Sequence, residues 1–276
     1  MQPMTKLMVF GGLGVTALLA SLARPAVEKK TMDWMTRVIG RVSGHEGGYD
    51  AQNLNTDNAG LSFGMIQWSQ RTGQLGILLA AMAKADPEEF RRIFGPASRE
   101  LLEVTRVGGL GPVGGALLWK QPWTDRFGEA GQHAVFQAVQ RKLTRTGVHM
   151  AGAIEASTIM GVHTERALAL TYDTAVQQGA HAAKKLATDL VAKLKAEGKN
   201  SVPYDEMLER YAQRAANRAR RTRDPGQSKN PNLEWRKVGN NWHLFAGRVD
   251  LYRNIRHRRF GIVTDTSLTD TPVQMA

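Results

Sequence analysis

The sequence predicts a mainly α-helical α+β protein in which helices carry one small β-hairpin, arranged as two lobes with a cleft between them. Three observations lead there. Apolar residues recur at helical spacing through most of the 276-residue chain. One segment, DNAGLSFGMIQW from Asp57 to Trp68, joins a turn signal to an apolar run with the aromatic and branched residues of a strand. A Gly- and Pro-rich connection from Val107 to Trp123 interrupts the helical pattern and reads as the link between lobes, or as a flexible cleft wall. With 42% hydrophobic residues the chain can bury a sizeable core.

Residues 1–30 form a unit of their own. Lys6 precedes an uncharged run from Leu7 to Ala23, closed by small residues and Arg24-Pro25-Ala26, the pattern of a signal peptide. A signal anchor in the membrane or a buried N-terminal helix are the other readings, and a secreted or periplasmic location is the expectation. The chain has no cysteine, which excludes disulfides, thiolate metal sites and a cysteine nucleophile. Residues 31–260 are expected to be the catalytic domain. The aperiodic Thr-, Asp- and Pro-rich tail from 261 to 276 is expected to be disordered.

The most informative stretch runs from Ser43 to Gln74. Met35, Val38, Ile39 and Val42 mark the apolar face of a helix, and Glu46 continues that face four residues on, before Gly47 and Gly48 end it. Asp57 lies instead among Asn53, Asn55, Thr56 and Asn58, in a polar turn. Hydrolysis of a glycosidic bond requires two carboxyl groups in contrasting settings, one protonated to donate to the leaving oxygen and one ionised to activate water. Desolvation favours the neutral form, so Glu46 is the natural acid and Asp57 the natural base.

At this point a family resemblance enters. GLSFGMIQWSQRTGQLGILL, HAVFQAVQRKL, LALTYDTAVQQG and NPNLEWRKVG resemble, in the same order, the hairpin and following helix, a mid-chain helix, a core helix and the closing segment of glycoside hydrolase family 46, the chitosanases of the lysozyme superfamily. The resemblance spans residues 31–243. It implies Glu46 as general acid, Asp57 as general base and Ser62 as the hydroxyl that helps hold the water. It also implies inversion at the sugar, with the carboxyl groups about 6.5 to 9.5 Å apart. Tyr49, Asn55, Gln67 and Trp68 are the expected substrate contacts, Gln67 alternatively closing the hairpin by a hydrogen bond. Gln74 stands where the family's amine-contacting acid is expected, and Glu46 and Asp57 are only eleven residues apart, a shortened loop.

Further along, Gly73 to Ala85 reads as an apolar helix, and Asp86-Pro87 caps and opens another. Trp119 and Trp123 either stack on sugar faces or pack internally. From Asp125 to Lys195 the pattern is nearly all helical, with Ala134, Phe136, Val139 and Leu143 on one face and Ala167, Leu168, Leu170, Tyr172 and Val176 on another. Asp173 falls inside the second pattern and needs a cation, for which Arg214 is the first candidate and Arg210 the second. In the resembled family the matching acid belongs to a network that reaches the catalytic Glu; an ordinary buried ion pair is the alternative. Residues 238–253 allow a small hairpin around Asn240 and Asn241, or a closing cover on the catalytic lobe.

No cofactor motif occurs, and His133, His149, His163 and His181 lack metal-ligand spacing, so neither cofactor nor metal is expected. The net charge of +12, concentrated after residue 208, attracts polyanions. On that ground, and on Gln74, the expected polysaccharide is peptidoglycan (a muramidase activity) in preference to chitosan. A basic nucleic-acid-binding or a non-catalytic wall-binding protein is the rival class. No nucleic-acid motif supports the former.

Overall fold

The computed structural model describes residues 34–44, 47–228 and 230–274. The segment expected to be a signal peptide or anchor lies outside them, as do His45 and Glu46. Among the described residues no helix is long and apolar enough to cross a membrane. The chain divides into two compact units: residues 42–147 with 227–234 form one, and residues up to 41 with 148–226 and 235 onward form the other. The expected link at 107–123 therefore lies inside the first unit. It is held there because Val113 and Ala116 form a two-residue bridge and Trp123 Nε1 donates to the Val113 carbonyl at 2.9 Å.

Helix α1 (residues 34–44) buries Val38, Ile39 and Val42, as its periodicity predicts, with Trp34 buried in place of the half-buried Met35. The first unit then builds an antiparallel sheet from β1 (Gln52–Leu54), β2 (Leu61–Phe63) and β3 (Trp68–Ser69). Strand β2 stops sooner than its apolar run suggests. Gly64 and Gln67 both take positive φ, 81° and 53°, and the four residues between strands fold into a tight turn. Around the sheet pack α2 (Gln74–Ala85), α3 (Pro87–Phe94), α4 (Ser98–Arg106), α5 (Trp123–Gln132) and α6 (Ala134–Thr146). As expected, Asp86 caps α3, its carboxylate accepting from Glu89 N at 3.1 Å. Phe63, Phe90, Phe94, Trp123, Phe127 and Phe136 form a continuous aromatic core.

The other unit is built on α7 (Val148–Ile159), α8 (Glu165–Gln178), α9 (Ala180–Ala196), α10 (Tyr204–Ala216) and α11 (Leu251–Val263). Helix α8 is its axis. Residues 167–175 are all buried, because α7, α9, α10 and α11 pack around it. A second sheet, β4 (Arg220–Arg221), β5 (Leu233–Val238), β6 (Asn241–Ala246) and β7 (Val249–Asp250), includes the hairpin expected at Asn240-Asn241. The tail departs from expectation. Residues 261–263 finish α11, Leu268 is buried, and Val273 N donates to the His163 carbonyl at 2.7 Å. Composition suggested disorder, but Asp265 pairs with Arg41 and Asp270 with Arg166, which anchors these polar residues.

Candidate active site

The candidate residues of the first unit gather on the β1–β2 hairpin and its flanks. Register places Asn53, Ser62 and Ser69 side by side across the three strands, while Gln52, Phe63 and Trp68 form the next row. Because side chains alternate along a strand, Leu61 and Phe63 point into the core and Ser62 points to the opposite face. Ser62 thus belongs to a polar row with Asn53 and Ser69, and at 5% exposure it is nearly buried there.

Asp57 sits in the loop between β1 and β2 and is exposed. Local hydrogen bonds hold that loop. Asn53 Oδ1 accepts from Thr56 N at 3.0 Å and Thr56 Oγ1 at 2.7 Å, Asn55 Oδ1 accepts from Gly60 N at 2.8 Å, and Asp57 Oδ1 accepts from Ala59 N at 3.1 Å. These are Asx-type turns, the chemistry for which Asn and Asp were singled out. Asn55, proposed as a substrate contact, has φ 66° and spends its carbonyl on the loop. The segment 227–234 buttresses the same loop, Asn230 Nδ2 donating to the Asp57 carbonyl at 3.3 Å and Asn232 Nδ2 to the Thr56 carbonyl at 3.1 Å.

Gln67 closes its turn, donating to the carbonyls of Ala51 at 3.3 Å and Gly64 at 3.2 Å. Its half-buried side chain also lines a cavity of about 510 Å³ with Gln52, Asn53, Leu54 and Thr56. Trp68 does not form a cleft floor: it is 4% exposed, paired across the sheet with Phe63, and belongs to the core. Trp123 is likewise core, at 1% exposure. Tyr49 is half-buried, its hydroxyl accepting from Arg141 at 3.1 Å under a guanidinium 5.5 Å from the ring centre. Gln74 opens α2, half-buried.

Two buried glutamines were not anticipated. Gln140 Nε2 donates to the Tyr49 carbonyl at 2.8 Å and its Oε1 accepts from Met65 N at 3.1 Å, fastening α6 to the loop and to the turn. Gln70 Oε1 accepts from Leu61 N at 3.0 Å while Nε2 donates to the Gly109 carbonyl at 2.6 Å. The signal for Gln140 was available. The buried face of α6 is Phe136, Gln140 and Thr144, at strict four-residue spacing, rather than the all-apolar set expected.

In the other unit Asp173 is fully buried and paired, as its position requires, but the cations are Arg258 and Arg259 of α11. Arg259 is itself fully buried, Nε lying 3.3 Å from Asp173 Oδ2. The two arginines proposed from α10 do not pair with Asp173. Arg210 pairs with Glu206 at 2.8 Å and Glu197 at 3.3 Å, and Arg214 lines a small cavity with Leu186, Asn217 and Arg218. Both misassignments have one cause, since α8 presents its Asp173 face to α11. Among the described residues no group of three or more metal-ligating side chains occurs.

No protein-family model matches the sequence, and no curated protein matches it. Solved structures do. The chain is similar to a native chitosanase from Bacillus subtilis MY002, with 16% identity over 84% of this chain and 87% of that one and a TM-score of 0.56. A mutant of that enzyme complexed with six glucosamine units gives 17% identity, 86% and 88% coverage and a TM-score of 0.55. A family 46 chitosanase from Gynuella sunshinyii in complex with chitotetraose gives 17%, 84% and 86%, and 0.56. At this level of identity the likeness is one of fold, and it extends over most of both chains: the protein has the fold of the family 46 chitosanases.

Proposed function

We propose that the protein is a glycoside hydrolase cutting β-1,4 bonds between amino sugars, with a glucosamine polymer of the chitosan type as its first substrate. The observation that carries this reading is the fold of the chitosanases, borne by a chain whose exposed hairpin acid, Asp57, stands eleven residues after Glu46 in the sequence. In the proposed reaction Glu46 gives its proton to the leaving glycosidic oxygen. Asp57 takes a proton from a water that Ser62 helps to hold, and that water attacks the anomeric carbon from the other face, inverting it.

Local charge removes the main objection to a cationic polymer. The unit bearing the hairpin has twelve Lys and Arg against eleven Asp and Glu, a net charge of +1, so +11 of the chain's +12 resides elsewhere. A second reading, cleavage of peptidoglycan, is favoured by Gln74, a neutral group where an amine-pairing acid is expected in chitosanases. Reducing-end release from chitosan and from peptidoglycan decides between them. Cleavage of chitosan that Glu46→Gln abolishes supports the first reading, cleavage of peptidoglycan alone supports the second, and a fully active Glu46→Gln protein sinks both.

A further inference from the structure

The other unit holds a second cavity, of about 940 Å³, between the end of α10, the sheet and α11. Its walls are basic: Arg220, Arg253, Arg256, His243 and His257 line it, and no carboxylate does. Two of these arginines are built into one neutral hydrogen-bond chain. Arg220 Nη1 donates to the Tyr252 hydroxyl at 3.2 Å, Gln213 Nε2 donates to the same hydroxyl at 3.1 Å, and Arg256 Nε donates to Gln213 Oε1 at 3.2 Å. Each guanidinium also lies over an aromatic ring, Arg220 5.5 Å from the centre of Tyr252 and Arg256 4.6 Å from that of Phe260. Stacking engages the face of the fork and leaves in-plane donors for a ligand.

Several other arginines of the unit are matched by carboxylates, whereas Arg218 and Arg221, like Arg220 and Arg256, are held by neutral groups. Arg37 is paired with Glu165, Arg41 with Asp265, Arg166 with Asp270, and Arg258 and Arg259 with Asp173. No carboxylate lies within ion-pair distance of Arg220 or Arg256 among the described residues, and the nearby Asp250 is taken by His243 at 2.8 Å and Arg253 at 3.5 Å. The surrounding sequence compounds the excess. Residues 210–260 contain fourteen Lys and Arg against three Asp and Glu, which leaves +11 of the chain's +12 in this stretch. Two guanidiniums held by neutral partners, Arg220 half-buried and Arg256 exposed, thus border an open cavity with no carboxylate in its lining to balance them.

We propose that this cavity binds a phosphate group carried on a larger ligand, the phosphate bridging Arg220 and Arg256. Phosphate fits better than carboxylate because it offers oxygens to both forks at once and carries more than one charge to two guanidiniums and His257. The cavity is larger than a phosphate ion, and Tyr252, Phe260 and Val238 give the body of the ligand an apolar wall. The site is independent of the glycosidase reading, since none of its residues belongs to the hairpin unit.

Calorimetric titration of the full chain at low salt tests it, with inorganic phosphate, glycerol 3-phosphate, a short glycerol phosphodiester oligomer and acetate as probes. Phosphate probes should bind at least about tenfold more tightly than acetate, and Arg220→Gln with Arg256→Gln should weaken them by about tenfold or more. The melting temperature should stay the same, Glu46→Gln should leave binding intact, and Arg248→Gln, an exposed arginine outside the cavity, should bind as the parent does. A monoester preference would assign a free phosphorylated small molecule and a diester preference a phosphate-linked polymer, either supporting the site. Absence of binding, acetate binding as tightly as phosphate, or an unaffected double variant overturns it.

Discussion

The side-chain amide of Gln140 donates to the backbone carbonyl of Tyr49 across 91 positions of sequence, at 2.8 Å, while its oxygen accepts from Met65 N. One buried side chain thereby ties the loop following residue 46 to the turn between β2 and β3. A Cβ at Gly64 would collide with that same oxygen, so glycine is required there by the clasp as well as by its positive φ. Replacing Gln140 with Leu leaves a buried carbonyl and a buried amide without partners, each costing about 1 to 3 kcal/mol. Urea unfolding should show a loss of about 2 to 6 kcal/mol, the sum over the two groups. A variant as stable as the parent would mean that the loop does not depend on α6.

Asp57 offers the complementary case, an acid whose removal should cost chemistry and not stability. It is exposed, and its carboxylate receives one backbone amide. Asp57→Asn keeps an oxygen for that amide but cannot take a proton from water, so kcat on the glycan should fall by about 100- to 10,000-fold with the melting temperature unchanged. An active Asp57→Asn protein that yields anhydro sugars would point to a transglycosylase working from Glu46 alone.

If Asp57 acts through water, the sugar inverts. Proton NMR of the first products should show the α-anomer, appearing ahead of mutarotation. An initial β-anomer would instead indicate a carboxyl pair at the shorter, retaining separation, about 5 to 5.5 Å.

What the sequence made legible was whatever a local rule governs: the apolar face of α1, the Asp86 cap, the hairpin at Asn53 to Ser62 and the burial of Asp173 with a cation. What it hid depends on distant partners. Trp68 is expected among the substrate contacts, and only the pairing of β3 with β2 shows it facing Phe63. Gln140 continues the Phe136 row, but an apolar-only pattern passes over it. The tail looked unstructured because its anchors, Arg41 and Arg166, lie more than 100 residues away in the chain.

Asp173 and Arg259 are both fully buried and 3.3 Å apart, so neither can lose its partner cheaply. Asp173→Leu should destabilise by about 3 to 5 kcal/mol in urea unfolding, because it strands buried positive charge. Adding Arg259→Met should recover part of that loss, since an apolar replacement of both partners removes the desolvation cost as well. No recovery would indicate that Arg258, the acid's other partner, carries most of the pairing.

The tail supplies a pH signature. Burial alone would raise the Asp265 carboxyl, but hydrogen bonds from the Ser267 hydroxyl and amide and from Arg41 outweigh it and hold the group below its ordinary value of 3.8. A carboxyl depressed in the folded state binds its proton less readily than in the unfolded chain. The stabilisation is therefore fully present above pH 3.8 and is lost as pH falls through the lower folded value. Asp265→Asn should lower the melting temperature at pH 6, and the gap to the parent should close as the pH is taken below that range. The local readout is hydrogen exchange at Val273 N, whose bond to His163 holds the end of the tail. Faster exchange in Asp265→Asn at pH 6 is the expected result, and exchange unchanged from the parent would show that the Arg41 pair is not what fastens residues 264–274.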